Sequence, residues 1–204
     1  IMSDTLYFRA KEAAVEFLRC AGTDAREKFL EEISRAKRTE LPDLFDKVNV
    51  NYQYAVDWTY EANACGWKFV YAWVDGNGEI FYIGCGWHTR VYETTNRTQK
   101  FKDKISTGGC KAYILLFYVG EETASDAETI CIQYAQMMGH NLTNTMKMLS
   151  QEQLRRYKLC EAGKIPESDM QEDYIAYEDM KCQFGEVLGA LDRIVISASH
   201  KTAS

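Results

Sequence analysis

The stretch that decides the fold reads FVYAW at residues 69–73, DGNG at 75–78 and FYIGCGWHTR at 81–90. The outer segments are rich in aromatic and β-branched residues, which is typical of strands, and the Gly and Asn residues between them favour a tight turn. The sequence therefore predicts a β-hairpin. Side chains alternate along a strand, so Tyr71 and Trp73 share one face of the sheet, while Tyr82 and Gly84 share a face of the second strand. We expect the missing side chain at Gly84 to let a large group approach the backbone.

Ten residues separate Tyr71 from Tyr82, and each tyrosine belongs to a short motif. This arrangement resembles the GIY-YIG nuclease family, which is named after the two tripeptides that end its first two strands. The first tripeptide here is FVY at 69–71 and keeps only its tyrosine, whereas YIG at 82–84 is intact. The following Gly-x-Gly-x-x-x-Arg, from Gly84 to Arg90, is similar to the branch of LEM-domain and ankyrin-repeat endonucleases. Further along, Glu128 matches the metal-binding Glu of the family, and Asn144 matches its late Asn, with Asn141 as the rival position, so the resemblance covers residues 68 to 145.

The resemblance implies a divalent-metal-dependent endonuclease that hydrolyses phosphodiester bonds in DNA, including branched or structured DNA. Glu128 is then the ligand of Mg²⁺ (or Mn²⁺), because a carboxylate is a hard oxygen donor that suits this ion. Arg90 stabilises the charge of the transition state, and one of the two tyrosines, Tyr71 or Tyr82, orients or deprotonates the attacking water. Supporting roles fall to Gly84, Gly86, His88 and Asn144.

Each of these residues also has a simpler interpretation. A Glu that opens a helix is favoured by the helix dipole alone, and we expect Glu128 to lie in such a first turn. Strand tyrosines commonly pack across strands, and a surface arginine commonly forms an ion pair. Two departures from the branch point to an alternative function: Cys85 stands where the branch has Lys, and Thr94 stands where it has His. The alternative is a catalytically silent nucleic-acid-binding protein on the same scaffold.

The charge of the chain is unevenly distributed. The whole chain of 204 residues has a formal net charge of −6, which is unusual for a protein that approaches a polyanion. Residues 68–111, however, carry 7 basic and 4 acidic groups. This segment contains the motif and the predicted nucleic-acid-binding residues, which are Lys68, Arg97, Lys100, Lys102 and Lys104. A basic face on an acidic protein is therefore expected.

The fold class predicted is α/β (α+β), with a small three-stranded antiparallel sheet flanked by helices. We divide the chain into an N-terminal helical and aromatic-rich extension (1–66), a GIY-YIG-like core (67–146) and a C-terminal helical extension (147–204). In the core, a helix or a broken helix is expected over 91–105, a third strand over 111–119, and a helix from Ser125 or Asp126 to Gly139. Further helices are expected to begin after the caps Ser150 and Ser168.

The N-terminal extension admits several interpretations. Residues 3–20 and 24–33 have the spacing of a helical hairpin, and residues 39–67 are dense in aromatics. The aromatic stretch is either a stacking surface for unpaired bases or a packing layer between hairpin and sheet. A third functional hypothesis, a protein-interaction module, would use this same stretch from 45 to 67.

Composition limits the class of protein. A hydrophobic share of 46% is typical of a globular chain, and no apolar run approaches the roughly 18 residues that cross a bilayer. Because no leader pattern opens the sequence, we expect a cytoplasmic protein with no membrane partner. The seven cysteines are never in Cys-x-x-Cys spacing, which indicates free thiols rather than a zinc site.

Overall fold

The structure is a computed structural model that describes residues 50–51, 54–56, 68–86, 88–91, 96–119 and 121–201. Its strands are β1 (Val50–Asn51), β2 (Lys68–Val74), β3 (Ile80–Gly86) and β4 (Lys111–Val119). Its α-helices are α1 (Gln99–Ser106), α2 (Glu121–Met137), α3 (Gln151–Glu161), α4 (Glu172–Gln183) and α5 (Gly185–Lys201). Short 3₁₀ helices span His88–Val91 and Glu167–Asp169.

The predicted fold class is confirmed. Strands β4, β2 and β3 form a three-stranded antiparallel sheet packed against five helices. The two-residue strand β1 adds a short parallel pairing beside β4, so the sheet order is β1-β4-β2-β3. β3 is therefore an edge strand of the sheet within the described residues.

The predicted hairpin is formed by β2 and β3. Its turn begins at Asp75, whose carboxylate accepts hydrogen bonds from the backbone N–H groups of Asn77 and Glu79 at 2.9 and 3.0 Å. Gly78 has φ of +84°, a conformation that a glycine adopts without steric cost. The ammonium of Lys104 contacts Asp75 at 2.8 Å, so α1 is fastened to this turn.

The two faces of the sheet are covered by different elements. One face, including Val70, Ala72 and Ile83, shares a hydrophobic core with α2 to α5. On the other face the pairing of β2 with β3 shifts by one residue, and Phe81 is the extra residue of a bulge. The bulge brings both Phe81 and Tyr82 against the buried Phe101 of α1, with ring centroids 5.6 and 5.0 Å apart.

Several helix boundaries differ from the predictions. Helix α2 begins at Glu121 rather than at Ser125 or Asp126, because Glu121 and Glu122 already supply the acidic first turn that a helix N-terminus favours. Within the described part of 91–105, the predicted helix corresponds to α1, which begins after the cap Thr98, and residues 92–95 lie outside the described residues. The cap at Ser150 is confirmed as a capping box with Gln153, whereas α4 begins at Glu172 without a side-chain cap.

The C-terminal helices belong to the same core as the sheet. Tyr174, Tyr177 and Leu191 are buried in a cluster that also contains Ile83 and Leu115. No described helix is long and apolar enough to span a membrane. The predicted helical hairpin at 3–33 and most of the aromatic stretch at 39–67 lie outside the described residues, as does Thr94.

Candidate active site

Tyr71 and Tyr82 meet above Gly84. A Cβ atom at residue 84 would lie 2.8 Å from Tyr71 Oη and 2.9 Å from Tyr82 Cε1. The large group that approaches the backbone at this glycine is thus the pair of phenol rings, whose centroids are 6.4 Å apart. Tyr71 faces Gly84 directly in the pairing of β2 with β3. The glycine is required for the two hydroxyl groups to converge.

Arg97 holds both hydroxyl groups. Its Nη1 donates a hydrogen bond to Tyr82 Oη, and its Nη2 donates to Tyr71 Oη at 2.6 Å. The guanidinium also stacks on the Tyr82 ring, with Cζ 4.5 Å from the centroid. Arg97 was predicted to bind DNA, and the structure places it at the centre of the tyrosine pair.

Arg90 lies on the 3₁₀ helix that follows β3. Its carbonyl oxygen accepts hydrogen bonds from Arg97 Nη2 at 2.7 Å and from Tyr71 Oη at 3.3 Å. The aliphatic stem of Arg90 packs over Gly86, where a Cβ would lie only 2.5 Å from Arg90 Cγ. Gly86 therefore allows this arginine to pass close to the strand. The next carbonyl, of Val91, accepts from Trp73 Nε1 at 3.1 Å and fixes the 3₁₀ helix on the sheet.

Glu128 reaches the same end of β3 from α2. Its Oε1 accepts a hydrogen bond from the backbone N–H of Cys85 at 3.1 Å, and its Oε2 lies 2.6 Å from Lys147 Nζ. The prediction that Glu128 occupies the first turn of a helix is wrong, because α2 begins seven residues earlier. The dipole of a helix N-terminus therefore does not explain its position.

Asn144 closes the outer edge of β3. Its side chain donates to the carbonyl of Ile83 at 2.7 Å and accepts from the N–H of Ile83 at 3.2 Å. Beside it, Thr143 donates from both N and Oγ1 to the carbonyl of Phe81. Asn144 thus binds the strand that carries the site. The side chain of His88 lies outside the described residues.

Burial controls the protonation of the two tyrosines. It raises the pKa of Tyr71 above its ordinary value, and the nearby Arg97 opposes that rise only in part. Burial also raises the pKa of Tyr82, with Arg97 and Arg90 lowering it and Glu128 raising it. Both phenols are therefore protonated at neutral pH.

Cys85 is not an activated nucleophile. Burial, together with the charge of Glu128 and the hydrogen bond to it, raises the pKa of this thiol to about 11. The Sγ–Oε2 distance is 3.4 Å. Because nucleophilic cysteines act as thiolates, the arrangement disfavours covalent catalysis by this residue.

The surroundings of Glu128 both favour and oppose the binding of a divalent ion. A half-buried carboxylate at a sheet edge has the donor chemistry that Mg²⁺ prefers. Lys147 Nζ, however, occupies the place of a cation beside Oε2. Within the described ranges no group of three or more His, Cys, Asp or Glu side chains can hold a metal ion. Glu128 therefore fits Mg²⁺ only as a single protein ligand, and only when Lys147 gives way.

The four lysines that were predicted to bind nucleic acid differ in their ion pairs and in their exposure. Lys68 forms a 2.6 Å ion pair with Glu121, and Lys104 is paired with Asp75 and Glu79. Lys100 is exposed on α1 and Lys102 is partly exposed. Of the predicted nucleic-acid contacts, Lys100 and Lys102 thus lie on the surface of α1, close in sequence to Arg97.

An apolar cleft of about 240 Å³ lies away from these residues. It is lined by Ile80, Tyr134, Leu191 and Ile196, among others, between α2 and α5. The chemistry described above lies instead at the β3 edge.

No protein-family model, no curated protein and no solved structure matches the chain. The likeness to GIY-YIG nucleases depends on the motif residues alone. The structure places Tyr71, Tyr82 and the stem of Arg90 over Gly84 and Gly86 on one face of β3. Glu128 reaches the outer edge of the same strand at Cys85 from α2, which covers the other face of the sheet.

The sequence did not predict that Arg97 and Lys147 belong to this site. Arg97 directly precedes the cap Thr98 and lies four residues before Phe101, which is buried against the sheet. This spacing is the sequence signal that could have placed Arg97 close to the tyrosines. Lys147 has no comparable signal, because its approach to Glu128 depends on the path of an irregular segment between α2 and α3.

Proposed function

We propose that this chain is an endonuclease that hydrolyses phosphodiester bonds in DNA at the end of β3. The observation that supports this most strongly is the single guanidinium of Arg97, which holds the hydroxyl groups of Tyr71 and Tyr82 beside the stem of Arg90. The guanidinium supplies fixed positive charge beside these hydroxyl groups, and charge stabilisation is the principal demand of phosphodiester cleavage.

The protonated phenols have a defined part in this proposal. Arg97 donates to Tyr82 Oη, and a hydroxyl that accepts such a bond still donates its own hydrogen to an anionic oxygen. Tyr82 therefore binds a non-bridging phosphate oxygen or orients the attacking water. Proton abstraction by either tyrosine is disfavoured, because burial raises the pKa of both phenols.

Glu128 completes the site from the opposite side of the β3 edge. Its carboxylate is held by Cys85 N–H, so its position relative to the strand is defined to within a hydrogen bond. A Mg²⁺ (or Mn²⁺) ion bound to Glu128 would supply positive charge beside the phosphate and lower the pKa of a bound water. The surface of α1 carries Lys100 and Lys102, and the DNA backbone would run along it.

The test is cleavage of supercoiled plasmid, branched DNA and single-stranded RNA by the purified chain with Mg²⁺ or Mn²⁺. Glu128→Gln keeps an acceptor for Cys85 N–H but removes the charge, and Arg97→Ala removes the guanidinium. We expect each to slow DNA cleavage by about a hundredfold or more. Arg155→Ala is the control, since this exposed arginine pairs with Glu152 on α3. Unchanged cutting in Glu128→Gln would refute the role of the carboxylate, and cleavage of RNA alone would refute the choice of DNA.

A catalytically silent nucleic-acid-binding protein is the second candidate. It is favoured by the ion pair between Lys147 and Glu128, which neutralises the carboxylate that the proposed catalysis requires. This function predicts binding of DNA that weakens steeply with salt and no cleavage with any divalent ion. Plasmid nicking that Glu128→Gln abolishes would eliminate it.

A further inference from the structure

The ammonium group of Lys147 is held by three oxygen atoms. It lies 2.6 Å from Glu128 Oε2, 2.9 Å from Ser125 Oγ and 3.1 Å from the carbonyl oxygen of Ser125. An ammonium has three N–H donors, so each has an acceptor. Ser125 and Glu128 lie one turn apart on α2, so their oxygen atoms lie on the same side of the helix and together bind one cation.

The backbone of Lys147 is shaped for this contact. Its φ of +64° is the only positive value at a non-glycine residue in the described parts of the chain. Such a conformation is disfavoured for a residue that carries a Cβ, and it persists where the surrounding structure stabilises it. Asn144 binds β3 on one side of Lys147, and Leu149 N–H donates to Gln136 Oε1 at 2.7 Å on the other side. Hydrogen bonds therefore hold the segment 144–149 at both ends, and the side chain of Lys147 contacts the carboxylate of Glu128 between them.

We propose that Lys147 is a resident cation that competes with a divalent ion for Glu128, so that metal binds only when this ammonium is displaced. This inference rests on the proposed metal-dependent function and concerns its control. Mg²⁺ sits about 2.1 Å from a carboxylate oxygen, and at Oε2 it would overlap the space of the Lys147 ammonium. A Mg²⁺ ion at Oε2 and the Lys147 ammonium would also repel each other strongly, because the site is half-buried. Occupancy by Lys147 and by metal is therefore mutually exclusive.

The competition has a measurable consequence for the free protein. Lys147 stabilises the metal-free form, so the affinity of Glu128 for a divalent ion is weaker than the carboxylate alone would provide. Coupling of this kind typically changes an affinity between about 5-fold and 150-fold. Removal of the ammonium while the backbone is kept should therefore tighten metal binding.

The experiment is a calorimetric titration of the full chain with MnCl₂ without DNA. We expect Lys147→Met to bind Mn²⁺ at least about tenfold more tightly than wild type, and Lys147→Arg to bind no more tightly than wild type. Lys147→Gly removes the charge and relieves the positive φ, and it should follow Lys147→Met if the methionine variant folds poorly. Lys68→Met is the matched control, because Lys68 has the same 2.6 Å distance to Glu121 on the exposed start of α2.

The double variant Lys147→Met/Glu128→Gln should lose the gained affinity, which assigns it to this carboxylate. Equal Mn²⁺ affinity in wild type and Lys147→Met would overturn the proposal, and so would an equal gain in Lys68→Met. Absence of Mn²⁺ binding in every variant would overturn it as well. Because no DNA is present, these outcomes are independent of cleavage: a chain that shows the predicted affinities but never cuts would refute the nuclease and leave the competition standing.

Discussion

Single atoms decide whether the two tyrosines of this protein converge. Tyr71 is fully buried, and its hydroxyl lies only 2.8 Å from the position that a Cβ of residue 84 would take. The missing side chain thus serves the protein's own phenols, and Arg97 then fixes their oxygen atoms from one side. At this scale, the glycine of the YIG tripeptide is a packing requirement of the tyrosine in the neighbouring strand.

Gly84→Ala should therefore destabilise the fold by about 1–3 kcal/mol, because the buried ring of Tyr71 has little room to move. Urea unfolding of the variant and the wild type measures this difference. Gly76→Ala is the control, since a Cβ at residue 76 of the turn meets nothing within 4 Å. Equal unfolding free energies of the two variants would show that the space above residue 84 is not needed.

Among the elements, the edge strand β3 depends most on its neighbours. Its outer backbone groups are paired by side chains rather than by another strand: Thr143 binds Phe81, Asn144 binds Ile83 and Glu128 binds Cys85. An unpaired edge is a place where strands of other chains add. The connecting segment and α2 therefore both protect the edge and deliver their polar groups to it.

Asn144→Ala should expose the N–H and carbonyl of Ile83 and cost about 1–3 kcal/mol of stability. Amide hydrogen exchange should show the loss locally, as faster exchange at Ile83 with little change at β4. Asn141→Ala is the matched variant, because Asn141 is exposed and its contact to Glu79 comes from its backbone N–H. Slow exchange at Ile83 in Asn144→Ala would contradict the bracing role.

For the whole molecule, buried tyrosines link stability to alkaline pH. Burial raises the pKa of Tyr71, Tyr82, Tyr157, Tyr174 and Tyr177 above the ordinary value of 10.0. A group with a raised folded pKa contributes stability that is fully present below the unfolded pKa and is lost as the pH rises above it. The fold should therefore weaken progressively above about pH 10.

Urea unfolding at pH 8 and pH 11 tests this expectation, and each such tyrosine lowers stability by up to about 1.4 kcal/mol per pH unit. Tyr177→Phe provides the comparison, since Tyr177 Oη is a buried atom with no hydrogen-bond partner among the described residues. This variant should match wild type at pH 8 and exceed it at pH 11. A stability that is the same at both pH values would rule out the linkage.

The sequence by itself determined the hairpin, the third strand, the capping box of α3 and the class of the fold, since each follows from short-range periodicity and turn chemistry. Only the tertiary structure decided that Arg97 joins the tyrosines and that Lys147 neutralises Glu128. The physical reason is that the path of an irregular segment and the direction of a long side chain depend on contacts between residues far apart in the chain. The start of α2 was misplaced for a related reason, because several polar residues in succession could each begin that helix.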